Sequence, residues 1–217
     1  MFIEIPDLLK SDEVAALRRI AASSQFMDGR ASNPHSSVKN NLQLYDKGAS
    51  DAMARALFGN ETFRNFAFPV ILAPPMISRY APGMHYGAHA DAAYLPLGEK
   101  PIRCDVSCTI FLSDPGSYEG GALRISLGSH DVRVRGAAGS AIVYPSHMLH
   151  EVEPVVRGER LVGLTFVQSR IKDSARRELL YELNEVAALE GLGMDPANYA
   201  RLQVVQRNLL HHWGDMP

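Results

Sequence analysis

Residues 141–168 read AIVYPSHMLHEVEPVVRGERLVGLTFVQ, and this stretch carries most of the sequence evidence for the fold. It contains three short runs rich in apolar and β-branched residues, at 141–144, 150–156 and 161–168. Runs of this kind, separated by Pro, Gly or Ser, are typical of β-strands joined by tight turns. The stretch therefore predicts three successive strands, with a turn at Arg157-Gly158 between the last two.

The same pattern continues towards the N-terminus as far as residue 76. Further β-type runs lie at 76–80, 106–112, 122–127 and 132–135, with turn signals between them. Nine of the 13 prolines and 11 of the 17 glycines fall between residues 69 and 163. Many short strands at this spacing favour a β-sandwich or a β-barrel.

The hydrophobic period changes on both sides of this β region. The change predicts that the first 60 and the last 45 residues are mainly helical. Ser11 is expected to cap a helix over about 12–23. A second short helix is expected near 49–58, and the polar stretch 29–41 is interpreted as a loop.

The C-terminal tail predicts two helices. Gly191 is expected to end the first, and Asp195-Pro196 suits the N-cap and first turn of the second. The predicted apolar stripes are Ala175, Leu179, Leu183 and Val186 in the first helix and Leu202, Val205 and Leu209 in the second. These stripes must pack on the core or on another subunit, so a homodimer is one expectation.

Composition limits the class of protein. The chain has 217 residues, of which 46% are hydrophobic, and a formal net charge of -2. This supplies enough apolar material for a core, excludes bulk disorder, and provides no electrostatic support for binding nucleic acid or an acidic membrane. No apolar run is long enough to predict a membrane span. With two cysteines and no signal-peptide pattern, the expected compartment is the cytoplasm.

The triplet His89-Ala90-Asp91 is the sharpest local feature. Residues i and i+2 of a strand point to the same face, so an imidazole nitrogen and a carboxylate oxygen can meet at one ion. A third ligand must come from elsewhere, and His150 is the best candidate. Two His and one carboxylate on one face are typical of non-haem Fe(II) oxygenases, although His-x-Asp alone is a weak signal.

Two further residues strengthen this interpretation. Arg160 follows His150 by ten residues across the predicted turn, and an Arg in an apolar pocket needs an anionic partner. A structural ion pair with Glu153 or Glu159 is the alternative. Tyr80 precedes His89 by nine residues, and its hydroxyl could donate to the same anion; an ordinary half-buried strand tyrosine is the alternative.

Several longer motifs surround these residues. They are VKNN at 38–41, Arg79-Tyr80, Tyr86-Gly87-x-His89-x-Asp91, DVSCTIFLSDPGSYEGGAL at 105–123, VYPSHMLHEVEPVVRGER at 143–160 and FVQS at 166–169. In combination they resemble the iron(II)- and 2-oxoglutarate-dependent dioxygenases of the prolyl/lysyl hydroxylase type, and more narrowly the bacterial PKHD-type hydroxylases. With the C-terminal helices, the resemblance covers nearly the whole chain.

The resemblance implies a site and a fold. The implied iron ligands are His89, Asp91 and His150, with Arg160 pairing with the distal carboxylate of 2-oxoglutarate and Tyr80 assisting. Fe(II), 2-oxoglutarate, O2 and L-ascorbate are the implied cofactors and cosubstrates. The implied fold is mainly β with flanking helices, a cupin-like double-stranded β-helix or jelly roll. We expect residues 71–171 to form this core, 1–70 an N-terminal helical and loop part packed on it, and 172–217 a C-terminal helical extension.

The expected function is hydroxylation of a C–H bond coupled to decarboxylation of 2-oxoglutarate to succinate and CO2. Peptidyl proline, an amino acid and a small metabolite all remain open as substrates. The alternatives are a cupin-like metal enzyme that does not use 2-oxoglutarate and a non-catalytic binding module of the same fold. An anion clamp built from Arg160 and Tyr80 argues against the first, and an intact ligand set argues against the second.

Other histidines and both cysteines favour structural interpretations. His85 shares the strand parity of His89 but is expected in a loop, where contact with substrate is open, and His147 is expected on the face opposite His150. VKNN at 38–41 either lines the mouth of the pocket or is a solvated loop. His35, His130, His211 and His212 are interpreted as surface or helix-end residues, and Cys104 and Cys108 as small core residues without a zinc site.

Overall fold

The computed structural model describes residues 1–33 and 36–215. Two antiparallel sheets face each other across most of this range. The larger sheet consists of β1 (Ile3–Ile5), β2 (Met27–Asp28), β4 (Leu42–Leu44), β5 (Pro69–Leu72), β6 (Met76–Tyr80), β10 (Val106–Phe111), β14 (Ala141–Pro145) and β17 (Arg160–Ser169). The smaller sheet consists of β3 (Lys39–Asn40), β7 (His85–His89), β12 (Leu123–Ser126), β13 (Asp131–Val134) and β15 (His150–Val152).

Two short ribbons, five α-helices and two 3-10 helices, at Gly29–Ser32 and Pro115–Ser117, complete the described structure. The ribbons pair β8 (Tyr94–Leu95) with β9 (Ile102–Arg103) and β11 (Glu119–Gly120) with β16 (Val155–Arg157). The helices are α1 (Ser11–Ser23), α2 (Lys47–Gly59), α3 (Glu61–Ala67), α4 (Ser174–Glu190) and α5 (Pro196–Trp213). None of the helices in the described ranges has the length and apolar character that crossing a bilayer requires.

As the chain passes from one strand to the next, it alternates between the two sheets. The larger sheet runs β1-β14-β10-β17-β6-β4-β2, with β5 also pairing with β17, and the smaller runs β13-β12-β15-β7-β3. Along the chain, β14 belongs to the larger sheet, β15 to the smaller one and β17 again to the larger one, while β16 between them belongs to a ribbon. This alternation is the arrangement of a double-stranded β-helix, and it confirms the predicted fold class.

The core has two layers, one on each face of the larger sheet. Between the sheets, apolar side chains of both pack together, including Phe111, Ile142 and Val162 from the larger and Ile125 and Val152 from the smaller. The opposite face of the larger sheet packs against α1, α2 and α3. The principal residues of that layer are Val14, Leu17, Met53, Leu57, Phe63, Phe66, Ile77, Cys108 and Ile110.

The predicted strands between residues 76 and 168 lie within a residue or two of their predicted positions, with one exception. The run at 150–156 is divided into β15 and β16, which pair with different strands. Pro154 lies at the break and has no N–H to donate to a ladder. The division lets the chain leave the smaller sheet before it returns to the larger one in β17.

The N-terminal region differs more from its prediction. Helices at Ser11–Ser23 and Lys47–Gly59 are present, but so are four short strands and the helix Glu61–Ala67, which the sequence did not predict. The first helix begins at Ser11, so the N-cap residue is Lys10 and not Ser11. The N–H of Lys10 donates to Oε2 of Glu13 at 2.8 Å. Strands of two or three residues are too short to show an alternating pattern.

The C-terminal helices confirm the predicted ends but not the predicted buried faces. Gly191 follows the end of α4, and the carboxylate of Asp195 caps α5. The side of α4 that meets the core carries Arg177 and Leu180, whereas Leu179 is 59% exposed and Val186 44% exposed. In α5, Val205 is also exposed. The predicted stripe of α4 therefore does not pack on the core.

Candidate metal centre

Three potential metal ligands meet at one end of the smaller sheet. His89 is the last residue of β7 and His150 the first of β15, and the two are paired in the antiparallel register. Nε2 of His89 lies 3.7 Å from Oδ1 of Asp91, and Nε2 of His150 lies 3.6 Å from Oδ2 of Asp91. One ligand atom from each residue lies within 4.8 Å of the others, which is close enough to share an ion.

The position of Asp91 does not follow from the alternation of side chains along a strand. β7 ends at His89, so Asp91 lies two residues beyond the strand. Its N–H donates to the carbonyl of Ser146 at 3.1 Å, which ties the segment to the turn before His150. Its carboxylate accepts a hydrogen bond from Oγ of Ser107 at 2.6 Å. Two tertiary contacts therefore replace the strand that the sequence argument assumed.

Both imidazoles are oriented by backbone carbonyls. Nδ1 of His89 lies 2.8 Å from the carbonyl of Gly87, and Nδ1 of His150 lies 2.9 Å from that of Met148. A proton on each Nδ1 satisfies these contacts and leaves the lone pair of Nε2 directed at the shared centre. Burial lowers the pKa of His150, which favours the neutral form that binds a metal.

The donor set fits a divalent transition metal. Two imidazole nitrogens and one carboxylate on one side leave further coordination positions open, the pattern associated with non-haem Fe(II). Within the described residues, no other group of three His, Cys, Asp or Glu side chains converges in this way. The carboxylate of Asp91 and the two histidines therefore form the candidate metal centre.

Arg160 lies in the core between the sheets, and no acidic residue in the described parts of the chain pairs with it. It is 1% exposed, and its Nε and Nη1 have no hydrogen-bond partner. The two acids considered as its partners are engaged elsewhere: Glu159 pairs with Arg79 at 3.1 Å and Glu153 with Arg133 at 2.5 Å. A buried guanidinium without a partner is costly, so the site is suited to an anion that binds from outside.

Tyr80 lies beside Arg160 on the neighbouring strand. The two are register partners of β6 and β17, and the Arg160 guanidinium carbon lies 5.1 Å from the centre of the Tyr80 ring. The Tyr80 hydroxyl accepts a hydrogen bond from Nδ2 of Asn41 at 3.1 Å, so its own proton remains available for a ligand. Burial raises the pKa of this hydroxyl and keeps it protonated.

A cavity of about 500 Å³ opens beside Asp91. Its apolar lining residues include Met76, Leu95, Leu97 and Phe166. Its polar lining residues include Ser32, Asn33, Lys39, Gln43 and Tyr86. A concave, mostly apolar space with a few polar groups is typical of sites for small molecules.

The sequence did not identify Ser107 or a role for Tyr86 in this region, whereas Lys39 lines the cavity, in agreement with the first of the two interpretations of VKNN at 38–41. The Tyr86 ring stacks on that of His89 with 3.6 Å between ring centres. Simple alternation along a strand would place His85 on the same face as His89. The register between β7 and β15 shifts between these positions, and Tyr86 therefore lies on the side of His89 instead. Ser107 lies inside a predicted strand, where no local signal distinguishes it from a core serine.

The remaining candidates take various positions. His85 is in β7 and not in a loop, with its Nδ1 3.3 Å from the Gly83 carbonyl, and His147 is exposed in the turn before β15. Within VKNN, Lys39 and Asn40 form β3. His130, His211 and His212 are exposed, and His35 lies outside the described residues.

Both cysteines are buried and unpaired, as their interpretation as core residues predicts. Burial raises the pKa of the Cys104 thiol to about 12, and it raises that of Cys108 as well. Neither thiol therefore ionises near neutral pH, and neither belongs to the group around Asp91.

Comparison with known proteins agrees with this geometry. Residues 75–168 match the family model of the 2OG-Fe(II) oxygenase superfamily. A PKHD-type hydroxylase of Sphingopyxis alaskensis is 58% identical over 214 residues, which cover 97% of this chain and 98% of the relative. A PKHD-type hydroxylase of Thermosynechococcus vestitus is 39% identical over the full length of both chains.

Solved structures show the same fold. A prolyl-4-hydroxylase of Pseudomonas putida superimposes with a TM-score of 0.60 at 23% identity, covering 77% of this chain and 92% of that one. A Trichoplax adhaerens prolyl hydroxylase, solved with a peptide fragment of hypoxia inducible factor, gives a TM-score of 0.61 at 17% identity and covers 77% and 83% of the two chains. From its whole-length relatives, its matching family model and its fold, the chain belongs to the 2OG-Fe(II) oxygenases, as a PKHD-type 2-oxoglutarate-dependent hydroxylase.

Proposed function

We propose that the chain couples the conversion of 2-oxoglutarate into succinate and CO2 to hydroxylation of a C–H bond, with His89, Asp91 and His150 as iron ligands. The observation that carries this proposal is Arg160, a buried guanidinium in the core between the sheets, two of whose nitrogen atoms have no partner among the described residues. A metal enzyme that used no 2-oxo acid would have no need for such a group. The residues present therefore fit both iron and the cosubstrate.

Iron and 2-oxoglutarate, when bound, supply the oxidising chemistry together with O2. The protein holds the metal through the three ligands and directs both Nε2 atoms with carbonyl contacts on Nδ1. Arg160 offers a carboxylate two parallel hydrogen bonds, and the Tyr80 hydroxyl can donate a third. The apolar residues that line the cavity exclude water from the place where the substrate carbon must lie.

The cavity beside Asp91 is the candidate substrate site. Its volume of about 500 Å³ suits a small molecule or one side chain of a peptide. Neighbouring structures include both kinds of complex: the Trichoplax enzyme holds a peptide fragment, and HygX of Streptomyces hygroscopicus holds 2-oxoglutarate and hygromycin B. For this chain we propose the same range of substrates, with ascorbate as the reductant that restores oxidised iron and the cytoplasm as the compartment.

We also propose that residues 71–171 form the catalytic core, with 1–70 and 172–217 as flanking parts. All five proposed site residues lie within the central range. The flanks contribute to the surroundings, since Asn41 contacts Tyr80 and Lys39 lines the cavity. In this division the helical tail supplies no ligand.

Formation of succinate from 2-oxoglutarate, dependent on Fe(II) and stimulated by candidate substrates, tests the proposal. We expect His150→Ala to abolish turnover and to weaken Fe(II) binding, because it removes one of three ligands. His147→Ala is the matched control, since His147 is an exposed histidine three residues away, and it should retain most of both properties. Loss of metal in His147→Ala with retention in His150→Ala would show that the ligand assignment is wrong.

A further inference from the structure

The Lys39 ammonium is a buried cation beside the candidate substrate cavity. Lys39 is 6% exposed and lies in β3, an edge strand of the smaller sheet, opposite Tyr86 of β7. Its Nζ is 5.2 Å from the centre of the Tyr86 ring, which itself stacks on His89. The charge of Lys39 is therefore one aromatic ring away from the candidate metal centre.

This cation has no carboxylate partner. Within the described residues, Nζ donates a hydrogen bond to Oγ of Ser32 at 2.7 Å, and Lys39 forms no ion pair. An ammonium carries three protons, so further donors remain for a ligand. Burial lowers the pKa of Lys39, and the carboxylates of Asp91 and Asp28 act in the opposite direction without forming an ion pair with it.

The position of Lys39 differs from that of the proposed cosubstrate clamp. The cavity that Lys39 lines includes Leu164 and Phe166 of β17 but not Arg160. Leu164 lies four residues along the strand from Arg160, roughly 13 Å at about 3.3 Å per residue. Lys39 therefore faces a space that Arg160 does not line.

The charge around the cavity also limits the ligand. Lys39 is the one basic side chain among the described residues that line it, and Asp91 is the one acidic side chain. The two charges of a bound Fe(II) would be offset by Asp91 and by one carboxylate of 2-oxoglutarate, which would leave Lys39 as the single uncompensated charge facing the space. One monoanionic carboxylate matches that charge, whereas a phosphate dianion would leave a negative charge uncompensated in a mostly apolar cavity.

We propose that the substrate of this enzyme is a small molecule with a free carboxylate, which pairs with Lys39 while its apolar body packs against Leu95, Leu97 and Phe166. This inference rests on the proposed function, because it identifies the cavity beside Asp91 as the substrate site. The carboxylate anchors one end of the molecule, and the target C–H bond is held near the metal at the other. Lys39 thereby determines which class of molecule is accepted.

Matched acids and amides test the charge preference. The probes are N-acetyl-proline, N-acetyl-leucine and N-acetyl-phenylalanine, each compared with its primary amide. Binding is measured by titration calorimetry on the full-length protein loaded with Mn(II) and 2-oxoglutarate, which requires no turnover. We expect at least one acid to bind roughly tenfold or more tightly than its amide, the effect of one charge-assisted hydrogen bond.

Variants assign that preference to Lys39. Lys39→Met and Lys39→Gln remove the charge and should bring the acid-to-amide ratio close to one, while Lys39→Arg should keep it. Lys47→Met is the control, since Lys47 is an exposed lysine paired with Asp51 on α2, and its ratio should match the unmodified protein. If no acid binds, if amides bind equally well, or if the preference survives in both neutral variants, the inference is overturned.

A separate measurement distinguishes this inference from the proposed function. Succinate formation by the Fe(II) protein reports whether 2-oxoglutarate is consumed at all. Absence of succinate contradicts the proposed function, while the Mn(II) titrations still decide the role of Lys39. Succinate formation without a preference for acids contradicts only the inference about Lys39.

Discussion

At the scale of single residues, Arg160 shows how an unfavourable position can indicate a function. Its guanidinium is buried in the core between two sheets, a location where an unpaired charge lowers stability. Burial of this kind is retained where a ligand supplies the missing partner. The distal carboxylate of 2-oxoglutarate has the planar geometry that matches the guanidinium fork.

Replacement of Arg160 should separate stability from cosubstrate binding. We expect Arg160→Met to weaken 2-oxoglutarate by roughly 100-fold or more, because two charge-assisted bonds of about 1.5–3 kcal/mol each are lost. The free protein should melt at the same or a higher temperature, since the buried charge is gone. Thermal melting with Mn(II), with and without 2-oxoglutarate, measures both effects.

Arg157→Met is the control for this prediction, because Arg157 is an exposed arginine at the end of β16, the strand that precedes β17 in the chain. It should leave the stabilisation by 2-oxoglutarate unchanged. Undiminished stabilisation of Arg160→Met by 2-oxoglutarate would mean that the anion clamp lies elsewhere.

Ser107 contacts Asp91, one of the three proposed iron ligands. Its Oγ lies 2.6 Å from the Asp91 carboxylate and 2.8 Å from Oγ of Ser146. Ser107→Ala removes the donor that orients this carboxylate, so we expect Fe(II) affinity to fall by roughly 10–100-fold, the usual effect of losing an outer-shell contact. Ser113→Ala, another buried serine that bonds only to backbone groups of Glu159 and Leu161, should leave Fe(II) affinity unchanged. Anaerobic competition with a chromophoric chelator measures both, and equal affinities would contradict the positioning role.

At the scale of elements, the turn between β16 and β17 determines where Arg160 enters the sheet. Gly158 in this turn has φ of +76°, and a Cβ there would lie 2.3 Å from the Ser117 carbonyl oxygen. Gly128, in the turn after β12, has φ of +82° with no atom within 4 Å of the same position. The two glycines share a left-handed backbone conformation, which is unfavourable for a residue with a Cβ, but they differ in the space around that position.

The pair predicts two different costs of adding a methyl group. Gly128→Ala should lower the free energy of unfolding by about 1 kcal/mol, the cost of the left-handed conformation. Gly158→Ala should lower it by about 1–3 kcal/mol more, because the neighbouring backbone must also move. Urea denaturation of both variants measures the difference, and equal losses would show that the contact with Ser117 is relieved without cost.

At the scale of the whole molecule, the exposed side of α4 bears on assembly. Leu179 and Val186 lie seven residues apart, which places them on the same side of the helix, and both are largely exposed. Since the core does not cover this stripe, the homodimer expected from the sequence stays a prediction that requires a partner surface here.

We expect the protein to sediment as a dimer and Leu179→Glu to sediment as a monomer, because a buried unpaired carboxylate opposes association. Leu127→Glu, at another exposed leucine, should remain dimeric. Sedimentation velocity over a wide range of protein concentration provides the measurement. A monomeric unmodified protein, or a dimer unaffected by Leu179→Glu, contradicts the predicted interface.

Sequence alone determined those features that depend on neighbouring residues in the chain. Between 76 and 168, the longer apolar runs bounded by turn residues could be predicted to within a residue or two, whereas the two-residue strands β8, β9 and β11 and the division of 150–156 could not. His89, Asp91, His150 and Arg160 could be selected as candidates by their types and spacing. Capping residues such as Asp195 act within one turn of their own helix, so the start of α5 could be predicted as well.

The tertiary structure decided what depends on contacts between distant segments. The two-residue strand β3 exists because it pairs with β7, and that pairing places Lys39 at the cavity. Asp91 lies beyond its strand and is held by Ser107 and Ser146, which no local period could reveal. Helical spacing in α4 showed that a stripe existed, but the side that meets the core is the one with Arg177 and Leu180, and Arg177 donates to the carbonyl of Asp105, far away in the chain. Such contacts carry no local signal, because the free energy that selects them comes from burial and pairing formed only in the folded molecule.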